Sequence, residues 1–375
     1  MTTPRSRLRI VMLGLSITSS WGNGHATNYR ALVRALSGRG HDVLFLERDV
    51  PWYAAERDLP DPPWGRSELY ASVGDLQTRF GVAVTAADVV LIGSYVPDGI
   101  EVARWVTSTT RGVKVFYDID TPVTLAALER GECDYLEPHL IREFDLYLSF
   151  TGGPTLDLIE DRYAAPRARA FYCLVDDTAY RPMRVDVRWD LGYLGTYSAD
   201  RQPTLERLLL EPARQRPDLR FVVAGPQYPA EIEWPRNVAR IEHLPPAEHP
   251  RFYSAQRFTL NVTRADMVRA GWSPSVRLFE AAACGVPVIS DRWPGLGDIF
   301  RDGEEILVVD NGADVLDVLD NSEPARLAAI GTAARRRVLQ EHTAQHRAAQ
   351  FEQMVAEVTQ VAPARRTGGR WQREK

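Results

Sequence analysis

The chain is poor in lysine. Only Lys114 and Lys375 are lysines among 45 basic residues, so arginine supplies nearly all of the positive charge. Because the phosphate-binding pattern G-x-x-x-x-G-K-[ST] requires a lysine that this chain lacks in that setting, a P-loop nucleotide site is excluded. Any side chain that binds phosphate in this protein is therefore expected to be an arginine.

Cysteines and long apolar stretches are also scarce. Cys133, Cys173 and Cys284 lie far apart and form no C-x-x-C pair, which argues against a zinc site or a disulfide framework and fits a reducing compartment. The apolar run 10–15 is shorter than the core of a signal peptide, and no run approaches the roughly 18 residues of a membrane span. We therefore expect a cytoplasmic protein with no integral membrane segment.

Charge and length restrict the class of protein further. The net charge is −5 at pH 7, so nucleic acid is not an expected partner. The hydrophobic share of 45% and the charged share of 25% are typical of an ordinary globular chain. At roughly 100–200 residues per domain, the 375 residues predict two domains.

The first half of the chain alternates between apolar strands and amphipathic helices. Continuous apolar runs predict parallel strands at 8–15, 43–46, 89–93, 115–117 and 146–150. The apolar spacing from Tyr29 to Leu36 predicts a helix after the first strand and its glycine-containing loop. Residues 51–65, rich in Pro, Trp and Asp, predict a long loop over the edge of the sheet.

A polar, extended segment at 180–190 interrupts this alternation, which then begins again. Strands are predicted at 191–194, 221–224, 239–241, 258–262, 286–290 and 306–309. A second α/β domain follows from this restart. The predicted domains are 1–182 and 183–345, and residues 346–375 are expected to form the end of a C-terminal helix and a disordered, arginine-rich tail.

The most informative segment is 269–291, RAGWSPSVRLFEAAACGVPVISD. Ser273 followed by Pro274 predicts a helix N-cap and its first residue, and such an N-terminus offers free N–H groups to phosphate. Arg277, one turn along, can bind a phosphate oxygen, and Glu280, a further turn along, can accept from both ribose hydroxyls. That order fits a bound nucleotide sugar. An amphipathic helix with an Arg–Glu pair explains the same spacing equally well.

The pattern S-x-R-x-F-E-A-A-A-C-G-V-P-V-I-S resembles the donor-site helix of GT-B glycosyltransferases, particularly of the CgeB-like (spore-maturation-type) branch. In these relatives the glutamate holds the ribose, which the resemblance transfers to Glu280. Residues 194–197 with Arg201 are similar to the opening of the second domain in that branch, where the arginine lies near the diphosphate. The resemblance covers about residues 190–310 and extends to the first domain only in architecture. It implies the GT-B fold, an α/β fold of two Rossmann-like domains whose parallel sheets face each other across a cleft.

The resemblance places the donor site in the second domain. Its expected residues are Gly195, Thr196, Arg201, Gly271, Trp272, Ser273, Ser275, Arg277 and Glu280. One position departs from the family, because many retaining members carry an acidic residue eight positions before the ribose glutamate, where it touches the transferred sugar. Here that position is Trp272. Either other groups hold the transferred sugar, including the backbone of 270–271, or the donor specificity differs. Retention and inversion of the anomeric configuration both stay open.

The acceptor is expected at the loop after the first strand, formed by Trp21, Gly22, Asn23 and Gly24. Its two glycines let the backbone approach a ligand closely. His25, which begins the next helix, is predicted either as a general base or as a group that caps that helix. The sequence G-N-G-H is not a dinucleotide-binding fingerprint, and Glu47 is the nearest acidic residue for such a role.

Two acidic residues end another strand of the first domain. Asp118 and Asp120 are two positions apart, so on an extended segment their side chains point the same way. Asp118 is a candidate catalytic base. For Asp120 we weigh a contact with the acceptor against the cap of the helix that begins near Pro122.

No metal site or cofactor is predicted. The D-x-D spacing at 118–120 suggests the metal motif of a different glycosyltransferase fold, which nothing else in the sequence supports. His342 and His346 lie on a late, polar helix without further ligands, and we interpret them as a solvated face.

The sequence therefore predicts a metal-independent, hexosyltransferase-like glycosyltransferase. Its co-substrate is a nucleotide sugar carried by UDP, dTDP or GDP, its second partner is an unidentified acceptor, and the oligomeric state is not predicted. The alternatives are a nucleotide-sugar epimerase and a catalytically silent nucleotide-sugar-binding protein. Phosphorolysis is disfavoured, because phosphorylases of this fold need a lysine for pyridoxal phosphate and the chain has two lysines in all.

Overall fold

The computed structural model describes residues 7–22 and 24–361 as two α/β domains, each built on a parallel sheet. Apolar side chains cover both faces of each sheet, as expected where helices pack on both sides. The strands of the first domain are β1 (Arg9–Gly14), β2 (Asp42–Arg48), β3 (Arg66–Tyr70), β4 (Val89–Gly93), β5 (Val113–Asp118), β6 (Leu146–Ser149) and β7 (Ala168–Ala170).

The first sheet has the order β3-β2-β1-β4-β5-β6-β7, and every pair in it is parallel. The strand order reverses between β1 and β4, and ligands of such sheets bind beyond the carboxyl ends at that point. A short 3₁₀ helix spans Pro138–Glu143. The α-helices are α1 (His25–Gly38), α2 (Pro51–Ala54), α3 (Val73–Ala86), α4 (Gly99–Thr109), α5 (Thr121–Arg130) and α6 (Pro154–Tyr163).

The second sheet has six parallel strands and reverses its order in the same way. Its strands are β8 (Trp189–Leu194), β9 (Phe221–Ala224), β10 (Val238–Ile241), β11 (Gln256–Asn261), β12 (Val288–Asp291) and β13 (Leu307–Val309). Their order is β10-β9-β8-β11-β12-β13, so the reversal lies between β8 and β11. The carboxyl ends of the two sheets face each other.

The helices of the second domain include one π-helical turn at Glu206–Leu210 and one 3₁₀ turn at Pro246–Glu248. The α-helices are α7 (Gln202–Leu205), α8 (Glu211–Gln215), α9 (His249–Ser254), α10 (Ala265–Ala270), α11 (Val276–Ala283), α12 (Leu296–Ile299), α13 (Gly312–Asn321), α14 (Pro324–Glu341) and α15 (Ala344–Val361). Within the described ranges, every helix is too short or too polar to cross a membrane.

The final helix, α15, returns to the first domain and packs against α1. Glu352 on α15 accepts hydrogen bonds from Arg39, with Nε to Oε1 at 2.5 Å, and lies 2.9 Å from His41. The Phe351 ring lies 6.3 Å from that of Phe171. The last helix therefore ties the two domains together. The tail predicted to be disordered lies, from residue 362 onwards, outside the described residues.

The predicted strands are present, with ends shifted by three residues or fewer, whereas two edge strands were not predicted. The sequence of β3 is RSELY, and β7 spans three residues, so neither carries the long apolar run that marks a buried strand. The segment 51–65, predicted as a loop, begins with the short helix α2. The central strands were predictable because burial on both faces requires continuous apolar sequence.

Candidate functional site

A cleft of about 430 Å³ lies between the carboxyl ends of the two sheets, lined by residues of both domains. Its basic and acidic lining residues are His25 and Asp120 from the first domain and Arg201, His243, His249, Arg264, Arg277 and Glu280 from the second. The positive charges therefore lie on the second-domain side. Asp120 and Glu280 are the two carboxylates among the described residues that line it.

The loop after β1 is held by a buried carboxylate. Glu47, 1% exposed at the end of β2, accepts from Ile17 N at 2.7 Å and from Thr18 N at 3.0 Å. The hydroxyls of Ser16 and Thr18 donate to its other oxygen at 3.0 and 2.7 Å. Glu47 thus shapes the loop that leads to the cleft, a structural role that the sequence did not indicate.

Most of the predicted acceptor-side loop reaches the cleft. Gly22, with a φ of +58°, and Gly24 line it. The Trp21 ring lies 4.7 Å from that of His243 in the second domain, so the loop contacts the opposite side of the cleft. Asn23 lies outside the described residues.

His25 and Asp120 form a pair on the first-domain side of the cleft. His25 Nε2 lies 3.8 Å from Asp120 Oδ2, and their side chains are 13% and 22% exposed. The Tyr95 hydroxyl lies 3.4 Å from the same oxygen. Burial alone would raise the pKa of Asp120, but His25, Arg264 and Arg201 outweigh it and lower that pKa. Asp120 is therefore an ionised group beside an imidazole, the arrangement that orients a general base.

Asp118, a candidate catalytic base at the end of β5, does not reach the cleft. It is fully buried, and it accepts from the Tyr147 and Thr124 hydroxyls at 2.5 and 2.7 Å. Burial raises its pKa to about 6. The expectation that Asp118 and Asp120 point the same way is wrong, because β5 ends at Asp118 and the alternation of an extended strand ends with it.

The cap interpretation of Asp120 is right about its position, since Asp120 is the N-cap of α5. Its side chain, however, makes no hydrogen bond to the first turn of that helix. The carboxylate instead points to His25, Tyr95 and Arg264. Of the two aspartates, the structure brings Asp120 and not Asp118 into the cleft.

The donor helix begins two residues later than predicted. Its N-cap is Ser275, whose hydroxyl accepts from Arg277 N at 3.4 Å, and α11 starts at Val276. Ser273 is buried and accepts a hydrogen bond of 2.9 Å from the Thr151 hydroxyl of the first domain. Ser273 thus bonds across to the first domain, and Ser275 has the N-cap role that was predicted for Ser273.

Arg277 is buried, and its guanidinium lies at the cleft floor among neutral acceptors. Nε donates to the Leu194 carbonyl, and Nη1 donates to Asn261 Oδ1 at 2.9 Å. The guanidinium also lies 4.6 Å from the centre of the Tyr193 ring. Within the described part of the chain, Arg277 makes no ion pair with an acidic side chain. A buried cation without such a partner favours an anionic ligand.

Two further arginines lie beside it. Arg201, as predicted, lines the cleft and donates from Nη2 to the Thr196 carbonyl at 2.9 Å. Arg264, which follows β11, was not predicted; its Nη1 lies 3.9 Å from Asp120 and its Nε lies 3.5 Å from Asp200. No motif marks Arg264 in the sequence. The available signal for a ligand-binding role was its position just beyond the carboxyl end of a central strand, β11, of the second sheet.

Close backbone approaches shape the floor between these arginines. A Cβ on Gly195 would lie 2.7 Å from Arg277 Nη2, and a Cβ on Gly225 would lie 2.0 Å from the Gly195 carbonyl oxygen. Gly225 also has a φ of +141°, which non-glycine residues rarely adopt. Gly195 and Thr196 therefore lie in the cleft where the sequence predicted them.

Glu280 lies deeper in the cleft and is 4% exposed. Its Oε2 accepts from the Tyr253 hydroxyl at 3.1 Å and lies 3.8 Å from His249 Nδ1. Burial raises the pKa of Glu280 to about 7, although Tyr180, Tyr253 and Arg277 oppose that effect. A carboxylate at this depth with one side open to the cleft is suited to accept from sugar hydroxyls.

Gly271 and Trp272, two predicted donor residues, lie outside the cleft lining. The Trp272 side chain packs between Gly153 of the first domain and Gly295. The indole lies so close to both glycines that neither could carry a Cβ. Its Nε1 donates to Asp298 at 2.6 Å, and its carbonyl accepts from Gly152 N at 2.9 Å. Trp272 is thus a contact between the domains, and its backbone is left-handed, with a φ of +44°.

The described residues contain no group of three or more His, Cys, Asp or Glu side chains placed to hold a metal ion. The interpretation of His342 as part of a solvated face is wrong. His342 is buried, stacks on Phe279 with ring centres 4.5 Å apart, and lies 2.7 Å from Arg347 Nη2. Burial lowers its pKa to about 3, so it is a neutral core residue.

Comparisons with known proteins agree with this architecture. Residues 201–353 match the family model described as Glycosyl transferase-like. Comparison with curated protein sequences finds no similar protein. Sucrose-phosphate synthase from Thermosynechococcus elongatus is 15% identical, with a TM-score of 0.68 over 94% of this chain and 100% of its own.

Two further solved structures are similar in fold. Anabaena HepE in complex with UDP and glucose is 13% identical, with a TM-score of 0.67 over 93% of this chain and 100% of its own. An alpha-glucosyltransferase in complex with UDP-glucose and DNA containing an abasic site is 12% identical, with a TM-score of 0.70 over 94% and 100%. The chain has the GT-B fold, as the sequence predicted.

Proposed function

We propose that this protein is a metal-independent glycosyltransferase that moves a sugar from a nucleotide sugar to an acceptor hydroxyl. One observation carries the proposal: three arginines and Glu280 on the second domain face the His25–Asp120 pair on the first domain across one cleft. The glycosyl transferase-like match of residues 201–353 supports it. Within that group the CgeB-like branch, suggested by the sequence 273–290, stays a prediction.

In the proposed complex the diphosphate lies among Arg201, Arg264 and Arg277. Guanidinium groups form bidentate, charge-assisted bonds with phosphate oxygens, and these three line one side of the cleft. Glu280 accepts from the ribose hydroxyls. UDP is the first carrier to test, because HepE and the alpha-glucosyltransferase were both solved with UDP or UDP-glucose.

The proposed reaction is a direct displacement at the anomeric carbon. His25 takes the proton of the acceptor hydroxyl, the acceptor oxygen bonds to the anomeric carbon, and the bond from that carbon to the diphosphate oxygen breaks. Asp120 orients His25 and stabilises its protonated form. The arginines neutralise the negative charge that develops on the leaving diphosphate, which is the role a divalent metal would otherwise fill.

We further propose that the transfer inverts the anomeric configuration. A single displacement from the side opposite the leaving group inverts the attacked carbon. The position that is acidic in many retaining relatives is Trp272, whose indole is turned towards Gly153 and Gly295. Glu280, the other carboxylate of the described lining, is assigned to the ribose. The first domain therefore supplies a base, and the second domain supplies no carboxylate for the transferred sugar.

The proposed location is the cytoplasm. The three cysteines are free thiols in the structure, and free thiols are stable in a reducing compartment. The proposed partners are a nucleotide sugar and a non-nucleic-acid acceptor, the latter because the net charge is −5.

A thermal-shift panel tests the donor site. UDP, dTDP, GDP and ADP sugars are added to the wild type, to Arg277→Ala and to Glu280→Ala in the presence of EDTA. One nucleotide sugar should raise the melting temperature of the wild type, since a ligand at 100 times its Kd adds about 2.7 kcal/mol, or roughly 2–4 °C or more at this size.

Both variants should lose that shift at the same concentration while folding normally. Asp42→Asn, at an exposed position at the amino end of β2, is the matched control and should keep it. A folded wild type that responds to no nucleotide sugar would remove the basis for the donor assignment. A response that disappears in EDTA would contradict metal independence.

A further inference from the structure

One carboxylate oxygen of Asp120 lies where the two domains meet. This atom, Oδ2, is 3.8 Å from His25 Nε2 and 3.4 Å from the Tyr95 hydroxyl, both in the first domain. The same atom is 3.9 Å from Nη1 of Arg264, in the second domain. A single oxygen is therefore shared between the proposed base and a cation of the donor half.

Arg264 is close to two carboxylates and tightly bonded to neither. Its Nε lies 3.5 Å from Asp200 Oδ2, an oxygen that already accepts from Ala265 N at 3.1 Å. Both Arg264 contacts are longer than the usual 2.7–3.2 Å of an N–H···O hydrogen bond, by roughly 0.3 Å or more. The Arg264 side chain is 31% exposed and lines the cleft, whereas its Nε is buried and makes no hydrogen bond within the described part of the chain. Such a side chain is free to exchange one acceptor for a better one.

We propose that Arg264 is a positioning residue that leaves Asp120 for the donor diphosphate and thereby makes donor binding and base orientation one event. The inference rests on the proposed function. A diphosphate carries two negative charges and binds a guanidinium with bidentate geometry, so it competes well with one distant carboxylate oxygen. Once released, Asp120 Oδ2 keeps His25 and Tyr95 as its neighbours within 3.8 Å.

This exchange has a consequence for the order of binding. Before the donor binds, Asp120 is divided between Arg264 and His25, and the base is incompletely oriented. After the donor binds, the carboxylate no longer shares Oδ2 with Arg264, so an acceptor that enters second meets an oriented base. The arrangement therefore limits base activation to the state in which a sugar is ready for transfer.

The test is a double-mutant cycle on nucleotide affinity, measured by titration calorimetry in EDTA. UDP, GDP and dTDP are titrated into the wild type, and the tightest of them is used throughout. Asp120→Asn should tighten its binding by about two- to fivefold, because the competing carboxylate is gone, as expected for a partly exposed ion pair. Arg264→Met should weaken binding, and in the Arg264→Met background Asp120→Asn should have no effect.

The signs of these changes separate the inference from simpler explanations. If Asp120→Asn tightens binding equally in both backgrounds, the carboxylate acts on the nucleotide only through its negative charge and not through Arg264. That result would overturn the proposed exchange. Unchanged or weaker binding by Asp120→Asn alone would overturn it as well. Asp42→Asn, which removes the same charge at the amino end of β2, far from the carboxyl ends that line the cleft, should leave affinity unchanged. A wild type that binds none of the nucleotides contradicts the proposed donor site instead.

Discussion

At the scale of single residues, the cleft arginines lack close carboxylate partners among the described residues. Arg277 is bonded to the Leu194 carbonyl and to Asn261, both neutral, and Arg264 has only distant carboxylates. Arg347, in the core, is also bonded to backbone carbonyls. Arg264 and Arg277 are distinguished by their position, because they line the cleft where the proposed diphosphate would lie. Their placement suits a site that receives its counterion from the ligand.

Glu280 gives a prediction for pH dependence. Burial raises its pKa to about 7, so at neutral pH a substantial fraction is protonated in the free protein. The ionised carboxylate is the form that accepts from both ribose hydroxyls, so the bound state prefers the deprotonated form. Affinity for a nucleotide sugar should therefore rise as the pH rises from 6 to 8, as calorimetric titration will measure.

Glu280→Gln isolates this effect from the histidines that also line the cleft. The variant should bind about tenfold more weakly at pH 8, the loss expected for one hydrogen bond to a charged group, and its affinity should lack the rise between pH 6 and 8. If Glu280→Gln keeps the pH dependence of the wild type, another group causes it and Glu280 does not bind the ribose as a carboxylate.

At the scale of elements, the segment between α10 and α11 joins the domains. Trp272 packs between Gly153 and Gly295, its carbonyl accepts from Gly152 N, and Ser273 accepts from Thr151. The same segment leads directly into the N-terminus of α11, which carries Arg277. The contact with the first domain and the proposed donor site are thus connected through a few residues.

Trp272 also has a backbone conformation that disfavours its own side chain, with a φ of +44°. We expect Trp272→Ala to destabilise the protein by about 2 kcal/mol. This is less than the loss expected when a fully buried tryptophan is replaced by alanine, because Trp272 is half-buried. Trp272→Gly should be more stable than Trp272→Ala by about 1 kcal/mol, because glycine adopts positive φ without strain. Urea unfolding measures both variants. Equal stabilities, or a less stable glycine variant, would show that the backbone there is unstrained.

At the scale of the whole molecule, periodicity predicted the architecture and spacing predicted part of the site. The central strands were accessible from the sequence because apolar runs encode them, and Arg277 and Glu280 because they lie on one continuous helix. Arg201 was predicted from the family resemblance of the segment 194–201. The sequence could not show which of Asp118 and Asp120 faces the cleft, since that depends on where β5 ends. Arg264 was missed because its partners Asp120 and Asp200 are far away in sequence.

The two-domain arrangement itself depends on contacts that no local pattern reveals. α15 crosses back to α1 through Glu352 and Arg39, and Trp21 meets His243 across the cleft. These contacts hold the first-domain pair opposite the second-domain arginines. The proposed chemistry follows from that juxtaposition, since the proposed base His25 lies on the first domain and the three arginines lie on the second.

The measurement that tests this account most directly is proton NMR of the wild type and His25→Ala with the nucleotide sugar that binds best, in EDTA. The wild type should release nucleoside diphosphate, with water as acceptor if no other is supplied, and the first-formed sugar should have the anomeric configuration opposite to that of the donor. His25→Ala should bind the donor but lose this release. A product of retained configuration would contradict the proposed displacement, and a bound donor that stays intact would identify a binding protein instead of a transferase.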